Sequence, residues 1–381
     1  MDVNPEERAR GKTQELSLCS FVVAAGGGSP VKINVLDAPG HRNYVGEMID
    51  GSSRADVGIL VVSARSGEFE AGFRGGQTRE HLRLLRASSS VGKLVVLVNK
   101  MDEVGWESGR LAEITRKLSK FIGGLFGEYT VIPVSGMGGD NLVKRREGSE
   151  RTLLEELTEY GSVSGNTNKG SNSNKGSNNN KGSNDNNNNS NYGNSNYTNQ
   201  LNALVVERSR TSCAIKIEAG VLRTNEEYSL VSQGGTQVVV VSEVRDEEDE
   251  EADGSLLRGV YRIRLSRAVE AAVGSRIVDG ALAERVVSRN RIVAVIGVYG
   301  DCSKCVTVGY SGVMHMNGVS VGVKVTGIWD TGKRKRRVAP VGEKSIVRIE
   351  IKDGIVVDRR KRERFSLRDE DATVGIGEII G

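Results

Sequence analysis

Apolar and polar positions follow one rhythm in the first 160 residues and another after residue 200. In the first part, short apolar runs of strand length recur at Val31–Leu36, Val57–Ser63, Leu94–Val98 and Tyr129–Pro133. Between them lie segments with the period of an amphipathic helix. These are Asn43–Ser53, Gln77–Arg86 with Leu82, Leu84 and Leu85 on one side, and Arg110–Phe121 with Leu111, Ile114, Leu118 and Phe121 on one face. Strands alternating with helices predict a parallel sheet covered by helices. From Leu201 the pattern changes to strict alternation in short runs: Ala203–Val206, Ala214–Ile217, Tyr228–Val231, Val238–Val241 and Val260–Leu265. Runs of that kind, broken by glycine or charge, predict an antiparallel barrel. A second β domain is expected over 285–381, with strands at Ile292–Ile296, Val321–Val325, Ile346–Ile351 and Arg364–Leu367.

Between the two rhythms the composition collapses. Asn168–Asn172, Asn174–Asn178 and Asn180–Asn184 repeat Asn-Lys-Gly-Ser-Asn, and a run of asparagines follows. Only Tyr192 and Tyr197 carry much apolar surface there, so this stretch predicts a disordered tether. The expected division is therefore an α/β domain over 1–160, a linker over 161–200, and β domains over 201–284 and 285–381. Lys and Arg exceed Asp and Glu by 53 to 49, too slight an excess to argue a nucleic-acid partner from charge alone. No run reaches the roughly 18 apolar residues of a membrane span, and the polar N-terminus predicts a cytoplasmic protein with no membrane partner. Cys302-Ser303-Lys304-Cys305 has the spacing of a metal knuckle, but His315 is the only further ligand nearby and a structural zinc site takes four. Ordinary thiols are expected.

Two motifs follow directly on strand-like runs, at the sheet edge where open α/β folds bind ligands. The first is Asp37-Ala38-Pro39-Gly40-His41. A strand-end Asp37 suits a water of a Mg²⁺ ion, which keeps several waters and takes few carboxylates. Gly40 lets backbone approach a terminal phosphate, and His41 is placed to orient an attacking water. The second is Asn99-Lys100-Met101-Asp102. The Asp102 carboxylate can accept from N1–H and the N2 amine of guanine, a pair that adenine lacks. Asn99 can support the ring edge, and the Lys100 stem can lie along its face. Singly these motifs are weak. In this order and context they predict a guanine-nucleotide site.

Together with Met1–Arg8, Gly11-Lys12-Thr13, Ser63–Glu70 and Gly75–His81, these motifs make the chain resemble the release-factor branch of the elongation factor 1-alpha class of translational GTPases. The likeness is dense to about Leu142, weak over Leu201 to about Arg360, and dense again at Phe365–Gly377. It implies a P-loop-type G domain, incomplete at its N-terminus, followed by two antiparallel β-barrels. It implies GTP and Mg²⁺ as cofactors, with Thr13 and Asp37 on the metal, His41 as the catalytic residue, and Ala38, Pro39 and Gly40 around the phosphates. Asn99, Lys100, Met101 and Asp102 would hold the base, and Ser135-Gly136-Met137 would meet its oxygen. Its implied partners are a stop-codon-reading release factor and the ribosome, for a chain monomeric outside that complex. The chain departs from the pattern in one respect. Gly11-Lys12-Thr13 is not a phosphate-cradling loop, because that motif needs glycine where Glu6 stands. The family's first strand, loop and helix would precede Met1. Either the sequence starts downstream of them, leaving two interior strands without a neighbour, or the G domain is degenerate.

The activity that the resemblance implies is GTP hydrolysis that promotes translation termination, and three rivals accompany that reading: a tRNA-delivering elongation factor, a ribosome-rescue GTPase, and a non-enzymatic adaptor whose barrels dock the partner. Near the C-terminus, Arg364–Asp369 resembles the family's docking segment, with Glu363 where the pattern has glycine and Ser366 for threonine. As a strand it would bury Phe365 and Leu367 and turn Arg364 and Arg368 outward toward a partner. The basic runs Lys333–Arg337 and Arg359–Arg364 are either solvated hairpin tips or contacts to rRNA phosphates.

Overall fold

The computed structural model of this chain describes residues 16–24, 30–40, 44–74, 77–123, 125–126, 129–165, 200–209, 212–246, 249–252, 254–266, 269, 271–300, 305–369 and 372–381. Thr13, His41, the Asn-rich stretch and Cys302 lie outside them.

The α/β part runs β1 (Ser17–Val23), β2 (Val31–Asp37), α1 (Val45–Arg54), β3 (Val57–Ser63), α2 (Glu68–Arg74), α3 (Thr78–Ala87), β4 (Lys93–Asn99), α4 (Ser108–Ile122), β5 (Tyr129–Pro133) and α5 (Leu153–Gly165). Strands β3, β4 and β5 form a parallel sheet with β4 in the middle. A central parallel strand is covered on both faces, which is why Leu94–Val98 is apolar without interruption. Alternation divides that run. Leu94, Val96 and Val98 pack with Ile114, Leu118 and Phe69 on one side, while Val95 and Leu97 pack with Ile132 and Val134 on the other. Strands β1 and β2 form a separate antiparallel pair. Among the described strands, β2 pairs only with β1 and β3 only with β4, so the α/β part has two sheets rather than one.

The first barrel closes in the order β10-β7-β6-β11-β8-β9. Its strands are β6 (Asn202–Arg208), β7 (Cys213–Ala219), β8 (Glu227–Ser232), β9 (Gly235–Arg245), β10 (Gly259–Leu265) and β11 (Arg276–Val278). A short helix, α6 (Gly280–Ala283), leads to the second barrel. That barrel contains β12 (Val286–Val298), β13 (Ser311–Met316), β14 (Val319–Trp329), β15 (Lys335–Arg336), β16 (Lys344–Asp358), β17 (Arg364–Arg368) and β18 (Thr373–Ile379). The order β13-β17-β18-β12-β16-β14 is closed by β13 pairing with β14, and β15 adds an edge to β14. The expected architecture of a G-type α/β domain and two antiparallel barrels is thus observed.

Buried charge joins the parts. Between the barrels, Arg276 is fully buried and donates to Asn202 at 2.9 Å, to Glu218 at 2.7 Å and to the equally buried Glu363. Glu363 also accepts from Asn317 at 3.2 Å. Between the α/β part and the first barrel, the buried Lys216 ammonium reaches the Ala55 carbonyl at 2.7 Å and Asp56 at 3.1 Å. Arg258 meets the same carboxylate at 2.9 Å.

The contact with the second barrel overturns the expectation for Arg364 and Arg368. Phe365 and Leu367 are barrel core, as alternation requires. The arginines on the other face, however, point at α3 rather than at solvent. Arg364 donates to the carbonyls of Ser88 at 2.6 Å and Val91 at 3.0 Å. Arg368 pairs with Glu80, which also accepts from the Thr373 hydroxyl at 2.7 Å. The physical reason is that the turn after α3 exposes carbonyls that need donors, which Arg364 supplies, while the Glu80 carboxylate on α3 holds Arg368.

Candidate functional site

The Asn99-Lys100-Met101-Asp102 motif sits where β4 ends. Lys100 adopts the left-handed conformation (φ 65°), which a residue with a Cβ rarely takes. Three interactions hold it there. The Asn99 side-chain oxygen accepts the Lys100 amide at 2.7 Å, and buried Met101 plugs the core beneath the turn. The Met101 amide donates to the Val134 carbonyl at 3.2 Å, tying the turn to the segment after β5. The same Asn99 oxygen accepts the Gly136 amide at 2.8 Å, so one side chain binds both loops. The approach is close at Gly136, where a Cβ would stand 3.2 Å from the Asn99 amide group and press it aside by a few tenths of an ångström. Ser135 is buried, and its hydroxyl accepts the Gly138 amide at 3.0 Å. Met137 is almost wholly exposed, and Asp102 projects into solvent.

Lys100 is fixed from the opposite side. Its ammonium lies 2.7 Å from Glu68, which also accepts from Ser63 at 2.7 Å and Arg65 at 3.1 Å. The hydrogen bonds from Lys100, Ser63 and Arg65 lower the Glu68 pKa to about 2, so the carboxylate stays charged at neutral pH. Helix α2, which carries Glu68, was not legible as a helix in the sequence.

The turn after β2 is built differently. Asp37 ends β2, and Ala38, Pro39 and Gly40 follow it. Below Gly40 lies His81 of α3, its imidazole hydrogen-bonded to the Gly40 backbone. A Cβ on Gly40 would meet the His81 ring at 3.6 Å. Burial lowers the His81 pKa despite Glu80 and the Gly40 bond, so the ring is neutral at physiological pH. His81 lies within the predicted helix Gln77–Arg86, and no sequence spacing marks its contact with the turn. None marks Glu80 either. Among the described residues no group of three or more His, Cys, Asp or Glu side chains is arranged to hold a metal ion. No described helix is long and apolar enough to cross a membrane.

Residues 1–163 match the model of the elongation factor Tu GTP-binding domain, and residues 289–381 that of the elongation factor Tu C-terminal domain. The elongation factor 1-alpha of Aeropyrum pernix is 30% identical over all of this chain and 84% of its own length. The chain belongs to the elongation factor Tu/1-alpha family of translational GTPases. Within that family it aligns over its whole length with release-factor GTP-binding subunits. The one from Schizosaccharomyces pombe is 31% identical with 56% of its length covered, and that from Ogataea pini is 31% identical with 50% covered. The chain thus spans about half the length of these relatives. Among solved structures, the Ski7 GTPase-like domain of S. cerevisiae bound to GDP and inorganic phosphate shares the fold, with a TM-score of 0.72 at 16% identity over 99% of this chain and 85% of that one. The elongation factor SelB of Methanococcus maripaludis, with a GTP analogue, shares it at a TM-score of 0.59 and 14% identity, over 97% and 74% of the two chains.

Proposed function

We propose that this chain is the GTPase part of a release-factor-type protein that binds GTP with Mg²⁺ and acts in translation termination with a stop-codon-reading release factor on the ribosome, in the cytoplasm. The observation that carries the reading is the pair of hydrogen bonds that the Asn99 side-chain oxygen accepts, from the amides of Lys100 and Gly136. These bonds hold two loops at the C-terminal edges of adjacent parallel strands, with the Asp102 carboxylate left exposed beside them. Asp102 would accept from the two donors of guanine, and the Lys100 stem, steadied by Glu68, would cover one ring face. Ser135, committed to Gly138, and Gly136, committed to Asn99, would shape the loop, leaving the Met137 backbone amide to face the base oxygen. These residues fit a guanine base. The metal half rests on Asp37, at the end of β2, and on Thr13. His41 would orient the attacking water, and His81 would support the turn that presents it. When bound, Mg²⁺ would neutralise charge on the phosphates.

Replacing Asp102 by asparagine removes the charge from two hydrogen bonds worth about 1.5–3 kcal/mol each. Guanine-nucleotide affinity should fall by about two orders of magnitude or more, with xanthosine triphosphate gaining relative to GTP. Competition between the two nucleotides for the full chain measures this, and an unchanged preference would remove Asp102 from base reading. His41→Ala should lower ribosome-stimulated turnover while sparing affinity, because a water-positioning group acts in the transition state.

A further inference from the structure

The side of the second barrel away from the α/β part carries a charge pattern that the nucleotide site does not use. Strands β17 and β18 face α3, and β14 and β16 lie on the other side of the closed ring. On this outer face the cross-strand register brings Arg291, Glu350 and Lys324 into one row. The next row holds Val293, Arg348 and Gly327, and the one after it Val295, Ile346, Trp329 and Lys335. Basic side chains outnumber acidic ones here, and the acidic ones are already engaged. Arg336 pairs with Asp330 and Glu343 at 3.4 and 3.2 Å, and Arg291 with Glu350 at 3.0 Å. Lys324, Lys333, Lys335, Arg337 and Lys344 are exposed and make no ion pair among the described residues. Arg334, Arg336 and Lys344 also border an open depression of about 490 Å³ at the hairpin.

An aromatic platform sits within this field. The Trp329 indole leans across Gly327, where a Cβ would stand 2.4 Å from the ring. Only glycine at 327 lets the indole lie there. The Arg348 guanidinium carbon is 5.2 Å from the ring centroid. An indole and a guanidinium stacked amid unpaired lysines offer what an unpaired base and its flanking phosphates need: planar surfaces to stack on and cations for the backbone. An acidic protein partner would use the cations but not the platform.

We propose that the outer face of β12, β14, β15 and β16 is a binding surface for single-stranded RNA. Lys333, Lys335 and Lys344 contact phosphates, and Trp329 with Arg348 stacks a base. The inference does not depend on the nucleotide site, because the face lies outside it.

The test is fluorescence anisotropy of a labelled oligouridylate with the full chain at low and moderate salt. Lys333→Glu/Lys335→Glu should weaken binding about tenfold or more and lower the salt slope by about 0.7 for each phosphate that is no longer neutralised. Arg359→Glu/Arg360→Glu, on an exposed turn outside this face, should leave binding unchanged. In a Trp106→Phe background Trp329 is the one remaining tryptophan of the two, and RNA should quench its fluorescence. Absence of binding, or equal binding by the Lys333/Lys335 variant, would overturn the proposal. So would equal weakening by the Arg359/Arg360 variant. Tighter binding of a duplex without quenching of Trp329 would overturn the single-strand assignment. Equal affinity for labelled poly-glutamate would show that the face reads negative charge alone, and the proposal fails.

Discussion

The two halves of the candidate nucleotide site hold their shape by different means. The guanine half is closed on itself. Asn99 bonds Gly136 and the Met101 amide bonds Val134 across the neighbouring strand ends, and Asn99 bonds Lys100 and Ser135 bonds Gly138 within each loop. The phosphate half leans on something distant in sequence. Gly40 rests on His81, whose neighbour Glu80 is held by Arg368 and Thr373 of the second barrel. The loops proposed to read the base are therefore held by local wiring, whereas the turn proposed to meet the terminal phosphate is connected, through one helix, to a barrel. A displacement of the second barrel that moves Glu80 would reach the Ala38–Gly40 turn through His81 without passing through the Asn99–Gly136 contact.

The largest expected effect comes from cutting that connection. Glu80→Ala leaves Arg368 nearly buried without its carboxylate and leaves the Thr373 hydroxyl and amide short of an acceptor. Breaking a buried pair from one side costs about 3 kcal/mol or more, and the partial exposure of this one puts it at the lower end. Urea denaturation should show a loss of about 2–3 kcal/mol in the unfolding of the docked α/β part and barrel. Amide exchange should quicken at Ala38 and Gly40 but not at Lys100 or Gly136. Faster exchange at all four would show that the two halves are one unit and end the comparison.

Asn99→Ala should do the reverse. It removes an acceptor from two amides, at about 1 kcal/mol per hydrogen bond, and frees Lys100 to leave its left-handed conformation. Exchange should quicken at Lys100 and Gly136, and stability should fall by about 2 kcal/mol, with Gly40 unaffected. A protected Gly136 amide in that variant would mean that Asn99 is not what joins the loops.

The sequence exposes the first half well and the second poorly, for a physical reason. Contacts between consecutive strand ends leave local signatures: an apolar run, a turn, an Asn or Asp beside it. The strands Val57–Ser63 and Tyr129–Pro133 are observed with the bounds that periodicity predicts. Helix α2 was hidden because Glu68–Arg74 is too short to display a helical period. Contacts between Glu80 and Arg368, or Arg276 and Glu363, join residues far apart in the chain, and no spacing rule marks them. One signal was present. Glu363 breaks the family pattern by replacing a glycine, and the structure buries it against Arg276 and Asn317 at the junction of the barrels. The outward reading of Arg364 and Arg368 failed because strand alternation tells which side chains leave a barrel core, not whether another domain waits outside it.

The smallest effect should come from His315, which tests the barrel side of the comparison by pH. It lies in β13 opposite Ser366 of β17, with its ring nitrogen 2.7 Å from the Ser320 hydroxyl. Burial, and then the charge of Arg368, push its pKa down to about 4. Other charged groups near this strand pair are Glu80, which pairs with Arg368, and Arg364 beside Ser366. A histidine with a depressed folded pKa binds fewer protons folded than unfolded between about 4 and its ordinary 6.5, so stability falls as pH falls through that window. At pH 7 both states are neutral there and nothing is lost. Carboxylates such as Glu68, with a folded pKa of about 2, lose stability only from about 4.5 downward, which separates the two contributions. Urea midpoints measured from pH 7 to pH 5 should therefore drop in the wild type and less in His315→Gln, the remaining drop coming from His81, whose pKa burial also lowers. Because Arg368 helps depress this pKa, Arg368→Met should raise it and flatten the same profile. An Arg368→Met profile as steep as the wild type would leave burial alone responsible, and would separate His315 from the contact between barrel and helix.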